Sequence, residues 1–448
     1  MTSQNQNDLN IAIAAFQKGE LDTAERVCIN ILSRDSCDAG ANYILALING
    51  QKGLKNVAIN HFREAIFIAP EYFNYRIALS SYYLEINNPE SAIKELEIVL
   101  SKVPDSIAAH TNIGTAFKKK GNLEKALAHF DKAAFLFRKP QDKDFINNNR
   151  QNEVHPTFSM TRETKLEHDI QQLEFLQSRY PSNVIFSQYA NKMLDVLASF
   201  RRRNINNGLG SFSELEYEKI YDFYNKILFR PILHDESPIL GDHKVNTLLS
   251  ERFDYKADDI VIIDDFLCEV SLVNVQRYCL ESTVWFDTKN DSGYLGAYMH
   301  DGFIPSFTLA IQPALREKWE KLFLGKVLKQ LWAFKYVSEG EGTRFHADDA
   351  SINVNLWITP DNCCFDPENS GLTLFPINIP ENIAFSYYNN DKNRLNDLIK
   401  GREREKLIIP YKCNRAVIFK SRFIHKTSGC KFIPGYENRR INITLLFD

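Results

Sequence analysis

The segment RFHADDASINVNLWITP, residues 344–360, sets His346 and Asp348 two apart, ahead of alternating asparagines and apolar residues. In extended backbone, residues i and i+2 point the same way, so this imidazole and carboxylate converge on one point. On a helix the same spacing turns them about 200° apart. That difference sets aside His129 and Asp131, which carry the same letters in a helical stretch. A third ligand is offered by NRAVIFKSRFIHKTSG, where a strand expected over 415–420 leads to Phe423, Ile424 and His425. Two histidines and one carboxylate leave three coordination positions open, a set suited to Fe(II). A satisfied structural histidine is the competing reading of the HxD alone.

Arg439 and Arg440 follow His425 by 14 and 15 residues and open the final strand, RRINITLLF. Alternation puts Arg440, Asn442 and Thr444 on one face and Ile441, Ile443 and Leu445 on the other. An arginine pointing inward from a strand needs an anion. Arg439 takes that role if the register is off by one. Asn355 shares a strand face with Asn353 and Trp357, as a cosubstrate contact or as part of a cross-strand polar ladder. Tyr336 precedes the ligands, as a hydroxyl donor or a core tyrosine. His300 and Asp301 are adjacent, and adjacent strand residues face opposite ways, so they read as loop residues or as a substrate contact rather than as a metal pair.

These residues need a sheet to hold them. Beyond about residue 256 the chain turns to short apolar segments such as DIVIIDDFL and FTLAIQP, both expected as strands, with one helix expected over 314–331. An HxD, a distal histidine and a late-strand arginine, in this order, resemble the iron(II)/2-oxoglutarate-dependent dioxygenases. DDFL at 264–267 before a helix, YVSEGEGTRFHAD and ENSGLTLFP at 368–376 resemble that family's prolyl-4-hydroxylase-like branch. The resemblance covers roughly 256–448 and implies a double-stranded β-helix (jelly-roll) with flanking helices. It implies iron on His346, Asp348 and His425, and the 2-oxoglutarate carboxylate on Arg440, with Asn442, Tyr336 and Asn355 as further cofactor contacts. It also implies use of O2, release of succinate and CO2, and hydroxylation of a substrate carbon. Halogenating relatives lack the carboxylate that Asp348 supplies here.

The N-terminal part has a different texture. Ala24, Ala58, Ala92 and Ala126 recur every 34 residues, as do Gly19, Gly53, Asn87 and Gly121, and Ala12, Ala46, Ser80 and Gly114. Pro70 and Pro104 close the second and third units, where the first has Ser36. Small residues let paired helices cross closely, Gly or Asn supplies a left-handed turn, and each unit leaves an apolar face for its neighbour. Four such units, from about residue 5 to 140, resemble the tetratricopeptide repeat. That resemblance implies a groove for a protein or peptide, or a surface for homo-oligomer assembly.

The fold expected is multidomain α + β: a tetratricopeptide solenoid over 1–145, a helical capping or linker region over 146–255, and the β-helix domain over 256–448. The polar stretch around Asn147 to Asn149 marks the first boundary, and helical spacing returns over 162–199. Arg201 to Arg203 read as a solvated helix end rather than a nucleic-acid contact. A net charge of −3 gives no general attraction to nucleic acid, and no apolar run approaches the roughly 18 residues of a membrane span. The N-terminus has no basic start followed by an apolar stretch, so a cytoplasmic protein is expected. Eight cysteines without a CxxC pair fit reduced thiols, Cys363 and Cys364 included. Two further functions stay open beside a hydroxylase of protein or peptide: a small-molecule hydroxylase whose repeats serve assembly, and a non-catalytic repeat-based interaction protein.

Overall fold

The computed structural model describes residues 3–140, 155–203, 208–234, 238–242, 244–245, 260–288, 293–379, 383, 385–389 and 392–448. The chain divides into two compact units, Met1–Leu136 and Phe137–Asp448. The boundaries expected at 145/146 and 255/256, and the asparagine run 147–149, lie outside the described residues.

The first unit is built of helix pairs: α1 (Ser3–Gln17) with α2 (Leu21–Arg34), α3 (Ala39–Gln51) with α4 (Lys55–Ile68), α5 (Asn74–Glu85) with α6 (Pro89–Lys102), and α7 (Ile107–Lys119) with α8 (Leu123–Arg138). The turns within pairs use Gly19, Gly53, Asn87 and Gly121, all with positive φ (79°, 75°, 58° and 74°), as the 34-residue period requires. Asp38, Asn88 and Ser106 start α3, α6 and α7 by accepting a backbone N–H on the first turn. Ala12, Ala46, Ser80, Ala24, Ala58, Ala92 and Ala126 are fully buried where the helices cross. At Gly114 a β-carbon would lie 2.8 Å from the Phe130 ring, so contact there excludes even a methyl group.

The second unit opens with the helices Glu163–Arg179 and Ile185–Arg202, packed through Leu166, Leu173, Leu176, Phe186, Met193 and Phe200. Arg201 pairs with Glu163 and Glu167, Arg203 pairs with Glu216, and Arg202 donates to the Ala198 carbonyl, so the arginine run is taken up locally. Residues 204–207, which follow it, lie outside the described set.

The strands, in chain order, are β1 (Met160–Arg162), β2 (Leu209–Ser211), β3 (Lys244–Val245), β4 (Ile260–Asp264), β5 (Tyr294–Tyr298), β6 (Leu328–Tyr336), β7 (Glu339–Gly340), β8 (Ile352–Trp357), β9 (Leu372–Asn378), β10 (Leu407–Ile409), β11 (Ala416–Lys420), β12 (Phe423–Thr427), β13 (Cys430–Lys431) and β14 (Ile441–Phe447). Seven form an antiparallel sheet in the order β3-β4-β11-β8-β14-β6-β5, and three form a second, β10-β9-β12. One apolar cluster joins Ile260, Ile262, Val417 and Phe419 of the large sheet to Leu372, Leu374, Leu407 and Phe423 of the small one, so the two sheets face each other across a shared core. Every residue of β14 is buried, because this central strand is covered on both faces.

Two expectations fail here. FTLAIQP is not a strand: Thr308–Lys318 is a helix, and Phe307, Ile311 and Leu315 are buried at helical spacing. The helix expected over 314–331 also ends early. After a short turn at Glu320–Phe323, Gly325 takes φ 75° and β6 begins at Leu328. Among the described residues no helix is long and apolar enough to cross a membrane.

Candidate metal centre

The backbone sets the ligands. His346 and His425 pair across an isolated antiparallel bridge, each N–H donating to the other's carbonyl at 2.9 and 2.8 Å. Asp348 N–H donates to the Ser421 carbonyl at 2.8 Å, so both ends of the HxD are tied to the segment that carries the distal histidine. The imidazoles lie 4.3 Å apart between centroids, and His425 Nε2 is 3.4 Å from Asp348 Oδ2. One ligand atom from each of His346, Asp348 and His425 falls within 4.8 Å of the others, and this is the one such group among the described residues.

Hydrogen bonding selects the tautomers. His346 Nδ1 lies 2.8 Å from the Arg344 carbonyl, and His425 Nδ1 lies 2.8 Å from the Phe423 carbonyl. Each carbonyl belongs to the residue two positions earlier and accepts only, so each Nδ1 carries the proton and each Nε2 keeps its lone pair for a ligand. Burial, followed by the neighbouring His425, holds the His346 pKa below the ordinary imidazole value. Burial alone would push Asp348 up, but the adjoining His425 and His346 imidazoles and the hydrogen bond from Asn353 outweigh it and leave the carboxyl below its usual range. Two imidazoles that present Nε2 beside a carboxylate form a donor set that a divalent cation binds. Asp348 and His425 are buried while His346 is half-buried, so solvent reaches the centre from the His346 side.

Asn353, fully buried on β8, donates to Asp348 Oδ2 at 2.7 Å. Its role was missed in the sequence, although it sits on the strand face already singled out with Asn355. Asn355 itself donates to Thr444 Oγ1 at 3.3 Å, the cross-strand ladder of the two alternatives. Asn442 is buried on the adjoining strand, and its Oδ1 has no partner among the described residues.

Deeper between the sheets lies Arg440, with no exposed surface. Its Nη2 donates to the Gly371 carbonyl at 3.1 Å, and its Nη1 reaches the Ser428 carbonyl at 3.4 Å and Cys430 Sγ at 3.5 Å. Gly371 is required there, because a β-carbon would fall 1.8 Å from the Ile409 carbonyl. The guanidinium is surrounded by the rings of Tyr336, Trp357 and Tyr411 at 5.3, 5.7 and 5.8 Å. Arg440 Nε and Trp357 Nε1 are both buried donors without an acceptor among the described residues. Two orphaned N–H groups beside a buried cation suit a carboxylate. Tyr336 Oη donates to Thr427 Oγ1 at 3.1 Å, on the strand that carries His425. Arg439 points away from this chamber and donates to Gln171 Oε1 at 2.8 Å.

Other residues singled out in the sequence lie elsewhere. Asp301 accepts two hydrogen bonds from Arg138 at 2.9 and 2.6 Å, and His300 stacks on Tyr298. Asp131 and His129 sit in α8 and belong to no metal-holding group. The eight cysteines are free thiols.

The tetratricopeptide repeat family matches residues 77–143, and the N-terminal region is a tetratricopeptide array. Among solved structures, a crystal structure of MamA is 26% identical over 30% of this chain and 78% of its own, with a TM-score of 0.28. A mutant of the Thermobaculum terrenum O-GlcNAc transferase is 20% identical over 31% of this chain and 28% of its own, also with a TM-score of 0.28. No curated protein matches the chain.

Proposed function

We propose that the second unit is an iron(II)- and 2-oxoglutarate-dependent hydroxylase of the cytoplasm, and that the repeats bring it a protein or peptide substrate. The carrying observation is the convergence of His346, Asp348 and His425 with both Nε2 lone pairs free, a donor set that fits Fe(II). We read the two facing antiparallel sheets as a double-stranded β-helix, which places ligands on strand ends around an enclosed chamber.

Iron bound with 2-oxoglutarate and O2 would supply oxidative decarboxylation to succinate and CO2, coupled to hydroxylation of a substrate carbon. The chain's own residues do the rest. His346, Asp348 and His425 would hold the metal, a donor set that leaves positions for the cosubstrate and O2. Asn353 keeps Asp348 turned toward it. Arg440, with Trp357 Nε1, holds the far carboxylate of the cosubstrate, and the surrounding aromatic rings exclude water and strengthen that ion pair.

A repeat-based interaction protein without turnover is the second reading, and the family match to residues 77–143 favours it, because tetratricopeptide arrays present partner grooves and self-assembly surfaces. Calorimetry on protein loaded with Co(II) under argon separates the two. The hydroxylase reading expects 2-oxoglutarate to bind wild type and to be lost in Arg440→Met, while metal affinity is kept. Metal-loaded wild type that ignores 2-oxoglutarate would leave the interaction protein standing.

A further inference from the structure

In extended backbone the peptide N–H and carbonyl groups of successive residues face opposite edges. His346 turns its N–H and carbonyl toward His425, and Asp348 turns its N–H toward the Ser421 carbonyl, so both ligands spend backbone on the segment that carries the distal histidine. Ala347, between them, presents its own N–H and carbonyl to the other edge. It is fully buried, and a buried peptide group left unpaired costs about as much as a lost hydrogen bond.

No strand pairs with Ala347 among the described residues; a side chain takes that place. Asn389 is the last residue of the helix Phe385–Asn389. Ala347 N–H donates to Asn389 Oδ1 at 3.2 Å, and Asn389 Nδ2 donates to the Ala347 carbonyl at 2.7 Å. A backbone N–H only donates and a carbonyl only accepts, so the two contacts fix which end of the carboxamide faces which atom. Packing holds the helix in place: Tyr388, and Leu395 of the following helix Lys392–Ile399, share an apolar cluster with Ala347, Phe375 and Ile424.

We propose that Asn389 is a positioning residue of the metal centre. Its carboxamide grips the peptide between the two ligands from the edge that His425 and Ser421 leave free, and so fixes the angle between the His346 imidazole and the Asp348 carboxylate. The inference rests on the metal reading of that site. Asn353 bonds the Asp348 carboxylate itself, whereas both of these Asn389 hydrogen bonds go to backbone, so Asn389 acts through the orientation of one residue's peptide groups.

Asn389→Leu keeps the branched shape of the side chain and removes both hydrogen bonds. Hydrogen exchange of the Ala347 amide in the metal-free full chain should be faster in this variant than in wild type; equal exchange would overturn the clamp. With Co(II) added under argon, the variant should bind the ion about 10-fold more weakly by chelator competition, the low end of the range for outer partners, and should show a shifted d–d absorption. Leu395→Ala is the packing control: it loosens the same cluster and lowers Tm, yet should keep the wild-type Co(II) affinity and spectrum. Asn389→Asp, which keeps the acceptor for Ala347 N–H and loses the donor to its carbonyl, should shift the spectrum in the same direction and supplies the readout where the leucine variant does not fold. Affinity and spectrum unchanged in Asn389→Leu, or changed as much in Leu395→Ala, would overturn the positioning role while the metal reading stands. Wild type that takes up no Co(II) would overturn both.

Discussion

Each of the two units holds a close pair of histidines, and the pairs differ in which ring nitrogens are used up. In the repeats, His110 and His129 meet Nδ1 to Nδ1 at 2.9 Å, and His110 Nε2 donates to the Pro104 carbonyl. His110 therefore accepts at Nδ1 while His129 donates there, and the His129 ring stacks on Phe117 at 5.7 Å. In the sheets, His346 and His425 each give their Nδ1 proton to the carbonyl two residues back, and His425 Nε2 lies 3.4 Å from Asp348 Oδ2. The first pair spends its Nδ1 atoms on each other; the second spends them on backbone carbonyls. Both sequences read His-x-Asp, so the ring nitrogens left free by the backbone separate a packing motif from a ligand set.

The strongest way to break this comparison is to delete its members one at a time. Removing the imidazole or carboxylate in His346→Ala, Asp348→Ala or His425→Ala should weaken Co(II) binding by more than the roughly 10–100-fold typical of an outer partner, whereas His129→Ala should bind as wild type. Equal losses in His129→Ala would erase the distinction. Next in size, Asn353→Ala should cost about 10–100-fold in metal affinity, read by competition with a colorimetric chelator, because Asp348 loses the donor that aims it. An unchanged affinity would make Asn353 a bystander.

Packing in the repeats should respond in the opposite sense. Gly114→Val forces a side chain into the Phe130 ring and should destabilise the array by about 1–3 kcal/mol in denaturant unfolding, while metal affinity stays as in wild type. The smallest effect concerns acid. Burial, with His110 and Lys125 adding repulsion, lowers the pKa of His129. The unfolded chain then takes up a proton before the folded repeat does, so stability present above the unfolded value of about 6.5 declines as pH falls below it. Unfolding midpoints between pH 7 and 5 should fall more steeply in wild type than in His129→Gln; parallel slopes would show that this ring carries no pH dependence.

The repeats were legible because one period fixes both turn and crossing: a left-handed residue at Gly19, Gly53, Asn87 and Gly121, and buried small residues at Ala24, Ala58, Ala92 and Ala126. The same holds for the HxD, since a two-residue spacing has meaning only in extended backbone. FTLAIQP was misread because seven apolar-rich residues do not decide between strand and helix; the deciding pair, Ile311 and Leu315, straddles Pro313, where the strand reading stopped. Nothing local in the sequence marks Trp357 or Tyr411 as walls around Arg440, because Trp357 meets it only through the pairing of β8 with β14, and Tyr411 only through the fold of the segment after β10. Asn353 was within reach: it shares a strand face with Asn355, and only register tells which asparagine meets Asp348.

The central claim is that one chamber holds both the metal on His346, Asp348 and His425 and a carboxylate on Arg440. Anaerobic titration of the metal-free protein with Fe(II) and then 2-oxoglutarate, followed by visible absorbance, tests it most directly. A weak charge-transfer band in wild type that is absent in His346→Ala and in Arg440→Ala, and that fades when O2 is admitted, is the predicted result; wild type that takes up no iron, or takes it up and shows no band with 2-oxoglutarate, would contradict it.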